Sequence, residues 1–147
     1  MKTIRLGYRK NRGVQLIELA IVLPVLLIII FGLIEYSVLF GAQLSMNSTA
    51  SEAARRAMAY RAGQNTQFYV RQAEQAVETA LPDYIGEFKG RVISQVTAFD
   101  CGDATCIRVN LTYPNYASNP LIGSFPLIPL PASLSAEAVS RVEPDVL

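Results

Sequence analysis

The chain is 147 residues long, with 51% hydrophobic and 17% charged residues, no His, no Trp and two Cys. That composition is too apolar for an ordinary soluble domain and too aliphatic for a disordered one. It excludes a His-based catalytic triad and leaves too few ligands for a four-ligand Cys/His zinc site.

The formal charge of +1 hides an uneven distribution. Residues 1–13 carry Lys2, Arg5, Arg9, Lys10 and Arg12 with no acid, whereas the other 134 residues carry eight basic and twelve acidic side chains. Positive charge confined to one end speaks for membrane orientation rather than nucleic-acid binding. Residues 19–34 then run without a charge between Glu18 and Glu35. Counted from Val14, the apolar stretch has 21 residues, or about 31 Å of helix, close to the roughly 30 Å hydrocarbon core of a bilayer. The basic flank places the N-terminus in the cytoplasm and the body outside. A cleaved secretory signal fits less well, because the run exceeds the usual h-region and Phe40 stands where a small residue is wanted.

The helix is expected to continue past the span to about Ala62, with a kink at Pro24, which has no N–H for the carbonyl of Ala20. Ala50, Ala53, Ala54, Ala57 and Arg61 recur at spacings of three and four, a small-residue ridge suited to lateral packing against neighbouring helices. Gly63 is the expected C-terminal cap. A second helix is predicted over residues 66–81, capped by Asn65 or Thr66, with Val70, Ala73, Val77, Ala80 and Leu81 as its apolar stripe and Pro82 as its stop.

Strands are predicted over residues 91–99, 107–113 and 134–142, the last with Leu134, Ala136, Ala138 and Val142 on one face. Cys101 and Cys106 flank a turn-rich segment and are read as a disulfide closing a hairpin, since a redox pair is more often CxxC. Residues 114–131 hold five prolines among Leu121, Ile122, Phe125, Leu127, Ile128 and Leu130. Such a loop either folds back over the sheet or offers an exposed docking surface.

The junction at residues 12–18 carries the most chemistry. A basic leader ends in Gly13, the apolar helix begins at once, and Glu18 lies five residues into it. A carboxylate inside a bilayer is costly. A cut after Gly13 gives Val14 a free ammonium four residues, one helical turn, before Glu18, so that amine, or a neighbour's, can pair with the carboxylate. The bland alternative leaves Glu18 snorkelling at the cytoplasmic end of an ordinary span. Glu35 either marks the outer interface or contacts another subunit's helix.

The run Gly13-Val14-Gln15-Leu16-Ile17-Glu18-Leu19-Ala20, then Val22-Leu23-Pro24 and Phe31-Gly32 through Glu35-Tyr36, resembles the TadE-like family, pseudopilins of the tight-adherence (Tad) pilus apparatus. Ala53-Ala54-Arg55-Arg56-Ala57 is similar to the family's post-span segment, and Leu134-Ser135-Ala136-Glu137-Ala138-Val139 with Arg141-Val142-Glu143 to its C-terminal strand. The resemblance implies processing by a prepilin peptidase after Gly13 and a minor structural role in pilus biogenesis. Major pilins of these systems are much shorter and carry Glu-Tyr after the cleavage site, where this chain has Glu18-Leu19.

The resulting expectation is an α+β fold: a long N-terminal transmembrane helix extended into a pilin-like stalk, a second helix, and a small antiparallel sheet with a disulfide-closed hairpin. The parts are a leader (1–13), a transmembrane helix (14–40), an extracytoplasmic helix extension (41–63) and an outer domain (64–147). Gly13, Val14 and Glu18 serve processing; Glu18, Pro24, Glu35, Ala50, Ala53, Ala54 and Ala57 serve helix packing and assembly. No catalytic residue, metal or cofactor is expected, since there is no GxSxG, P-loop or HExxH. Expected partners are the prepilin peptidase, other pilin and pseudopilin subunits, the inner-membrane assembly platform and the lipid bilayer, with no nucleic acid. The location is the inner membrane, single-pass, with the extracellular pilus as a further destination. The alternative is an uncut single-span adaptor whose outer domain binds another envelope component.

Overall fold

In the computed structural model, residues 12–58, 65–82 and 88–142 are described. The leader before Arg12, Arg61, the Gly63 cap and Glu143 lie outside the described residues. Helix α1 covers Arg12–Ala57, α2 Thr66–Ala80 and α3 Phe88–Arg91, followed by β1 Ile93–Asp100, β2 Thr105–Tyr113 and β3 Leu134–Val142.

At 46 residues, α1 is about 69 Å long, and it remains helical through Pro24. It closes at Ala57, five residues before the expected end, where the Met58 N–H donates to the Arg55 carbonyl at 3.1 Å. Its two halves have different fates. Glu35, Leu39, Ala42, Met46, Ala50, Ala53 and Ala57, at steps of three and four, form one buried stripe. Residues 13–27 are exposed on every side.

Helix α2 forms where the pattern predicts it. The Asn65 side chain accepts a hydrogen bond from the Phe68 N–H at 3.1 Å, and the Leu81 N–H closes the last turn onto Val77. Its buried face is Tyr69, Ala73, Ala76 and Val77, with Leu81 following; Val70 and Ala80, expected on the stripe, are half-buried at its flanks.

The sheet has the order β1-β2-β3, antiparallel throughout. The register pairs Val96 with Val109 and Val109 with Ala138, so Ile107, Val109, Leu111 and Tyr113 share a face with Leu134, Ala136, Ala138 and Ser140. That face packs on α1 and α2. The opposite face is polar: Arg108 pairs with Glu137 at 3.1 Å and lies over the Phe99 ring. Cys101 and Cys106 are disulfide-bonded across the β1–β2 hairpin, whose turn places Gly102 at φ +93, a conformation that suits glycine.

Residue 91 was expected to begin a strand and instead ends the short helix α3. Tertiary contacts account for this. Phe88 is fully buried and stacks on Tyr113 at 6.1 Å, and Arg91 donates to the Tyr113 hydroxyl at 3.1 Å and the Asn119 carbonyl at 3.3 Å.

Candidate functional site

The N-terminal third of α1 is a bare apolar cylinder. Val14, Leu16, Ile17 and Ile21 each leave about two thirds of their surface uncovered, so the described residues supply little packing for them. Gly13 opens this cylinder, and a Cβ placed there would meet nothing within 4 Å. Val14 and Glu18 are both exposed and one helical turn apart. Glu18 forms no ion pair among the described residues. Length and composition make α1 able to cross a membrane, which fits a single-pass anchor.

The alanine ridge lies elsewhere. Ala50, Ala53 and Ala57 are completely buried and Ala54 nearly so, all within the chain's own core. The spacing suits this ridge to packing against neighbouring helices, and within this chain it brings α2 and the sheet close to α1. Small side chains permit that approach whichever chain supplies the partner, and spacing does not tell the two cases apart. Arg55 and Arg56 are exposed, with Arg56 bonded to Glu52 at 2.8 Å.

Glu35 is the least expected feature. It takes the first position of the buried stripe and is only 2% exposed, and among the described residues neither carboxylate oxygen has a hydrogen-bond partner. Nearby, the buried Tyr116 hydroxyl is likewise unpaired. Burial pushes the Tyr116 phenol above its usual range, and the charges of Tyr113 and Glu35 push it further; an approach by the Leu121 backbone offsets this in part without a hydrogen bond of good geometry. The spacing of Leu39, Ala42 and Met46 from Glu35 was the available signal that this carboxylate faces inward.

Residues 114–133 pack against α1 around Glu35, at Phe31, Gly32 and Tyr36. Tyr116 and Leu121 join the core, Tyr116 packing edge-on against Tyr113 at 5.2 Å. Farther along, Phe125 stacks on Phe31 with centroids 5.4 Å apart, and the Tyr36 hydroxyl donates to the Pro129 carbonyl at 2.9 Å. The loop was expected either to fold over the sheet or to stand free. Its proximal part closes the core, and its distal part descends along α1.

Among the described residues, no three His, Cys, Asp or Glu side chains cluster as metal ligands. A groove of about 300 Å³ lined by Arg56, Gln72, Gln75, Ala76 and Thr79 is open to solvent. The described residues bring together an uncovered apolar helix, a buried carboxyl group on α1 and a disulfide-clamped hairpin.

Residues 13–55 match the family model described as TadE-like protein, a match that follows α1 and takes in neither α2 nor the sheet. This is consistent with a Tad pilus-related protein. No curated protein matches the chain, and no solved structure does.

Proposed function

From the TadE-like match along α1, we propose that the chain is a minor, non-enzymatic pseudopilin of Tad pilus biogenesis. It sits in the inner membrane with its N-terminus in the cytoplasm. A prepilin peptidase cuts it after Gly13, and it assembles with other pilin and pseudopilin subunits on the inner-membrane platform.

The observation that carries this reading is the contrast between the two halves of α1. From Leu39 onward its stripe is enclosed by the chain's own domain, whereas residues 13–27 have no cover at all. An apolar cylinder with nothing to pack on among the described residues takes either lipid or the helices of other subunits as its surroundings. Glu18 is the only charge from Gly13 to residue 34. Once Gly13 is cut away, the Val14 ammonium lies on the same face and neutralises that charge, in its own chain or a neighbour's. Removal of the five leader charges also frees the helix to leave the bilayer.

The test is intact mass and N-terminal sequencing of the protein from its native host's envelope, with Gly13→Ala alongside. The mature chain is expected to start at Val14, and Gly13→Ala to block processing. Because a Cβ at Gly13 meets nothing within 4 Å, a block cannot be assigned to a disturbed fold. A chain that keeps residues 1–13 in cells with an active pilus system overturns cleavage and leaves the uncut adaptor.

A further inference from the structure

The distal loop lies where a membrane surface would be. Three contacts fix residues 125–129 beside residues 31–36 of α1: the Phe125–Phe31 stack, the Tyr36–Pro129 hydrogen bond, and Ile128 Cδ1 at 3.6 Å from the place a Cβ on Gly32 would occupy. Phe31 lies three residues inside the end of the charge-free run at residue 34, about 4.5 Å along a helix. The loop tip is thereby held level with the outer end of the apolar span.

Its chemistry suits that level. No charged residue occurs between Arg108 and Glu137. Leu127 is 67% exposed, and on the α1 stretch that the loop touches Phe31 and Ile34 remain 43% and 49% exposed, so loop and helix both present apolar surface at this level. The backbone fits too. Pro126, Pro129 and Pro131 have no N–H to leave unpaired, the Ile128 N–H donates to the Phe125 carbonyl at 2.9 Å, and the Pro129 carbonyl accepts from Tyr36. Irregular backbone enters an apolar interface at lower cost when few polar groups are left unsatisfied.

We propose that residues 125–130 form a second membrane-contact element, bedding Leu127 and its neighbours in the lipid interface beside α1. This rests on the reading of residues 14–34 as a span. The chain then touches the bilayer at two points. The globular part is held at a set height and rotation against the surface, and the loop must leave the lipid when the helix does.

The chain contains no Trp, so a single introduced Trp reports one place without background. Full-length protein is reconstituted in phosphatidylethanolamine/phosphatidylglycerol vesicles whose lipids carry bromines high on the acyl chains. Three variants are compared: Leu127→Trp at the loop tip, Ile21→Trp in the span and Asp103→Trp at the exposed hairpin turn. Leu127 is mostly exposed, so its replacement disturbs no core packing. The expected result is blue-shifted emission from Leu127→Trp, with bromine quenching severalfold stronger than for Asp103→Trp. Quenching of Ile21→Trp alone, with Leu127→Trp open to acrylamide, overturns the loop contact and leaves the span. Leu127→Trp shielded from both quenchers means a protein cover and also overturns it. An Ile21→Trp that lipid bromines do not reach removes the span reading and the proposal together.

Discussion

Glu35 and Tyr116 set the energetics at the scale of single residues. A buried carboxyl group with both oxygens unpaired among the described residues is costly, and replacing such a buried polar group by an apolar side chain of similar size commonly stabilises. Glu35→Leu is therefore expected to raise the unfolding free energy by about 1–3 kcal/mol, read from denaturant melts in detergent. A loss of stability instead would mean that Glu35 has a partner in the folded protein. Tyr116 supplies a pH test. Its phenol is raised in the fold, so folding favours the neutral form. The stability this carries is complete below the ordinary phenol range and is lost as pH climbs through the raised value. Tyr116→Phe should change neutral-pH stability by no more than about 1 kcal/mol and flatten the alkaline decline. Glu35→Gln should shift the Tyr116 titration downward, seen as the tyrosinate absorbance that Tyr116→Phe removes.

At the scale of elements, helix α1 joins two kinds of surface in one continuous helix. The enclosed alanine ridge allows close approach of α2 and β3, so a larger side chain there has nowhere to go. Ala53→Leu, at a completely buried position, should destabilise by about 1–3 kcal/mol. Leu44→Ala, where the side chain is 70% exposed, should stay within about 0.5 kcal/mol of the parent. Equal losses at both positions would show that the ridge is not the packing surface. The hairpin disulfide closes a small ring, Cys101 and Cys106 being five positions apart. Paired Cys→Ser replacement is expected to cost about 2 kcal/mol, with the melting temperature as readout.

Across the whole molecule, α1 divides into a half enclosed by the folded domain and a bare half long and apolar enough to cross a membrane. Val25 lies in the bare half and is 57% exposed, so Val25→Arg removes no packing within the chain. On insertion scales a central Arg costs about 2.5–3.5 kcal/mol. Val25→Arg is therefore expected to move a substantial share of the protein into the alkaline-carbonate-soluble fraction while the disulfide still forms. Retention of all the protein in the membrane pellet would argue against residues 14–34 as the anchoring span. The same division gives the loop its place, because the distal loop meets α1 where the enclosed half gives way to the bare one.

Local pattern alone determined the helical span, the Asn65 cap, strand β3 to the residue and the pairing of Cys101 with Cys106. Periodicity, capping and short-range closure are properties of neighbouring residues, and the TadE-like resemblance lies in that same local stretch. Tertiary structure decided the rest. Arg91 left its expected strand because Phe88 and Tyr113 hold a helical turn beneath it. The alanine ridge turned inward because small residues admit any partner and the chain's own α2 and β3 occupy that face. Glu35 was legible as an interruption of the apolar run and, by its spacing from Leu39, Ala42 and Met46, as lying on the inward stripe, but the loop that packs beside it at Tyr36 was not, since it comes from some ninety residues away and its prolines fix no partner locally. Burial depends on which distant surfaces meet, and hydrophobic contact, being non-directional, leaves no mark of its partner in the local sequence.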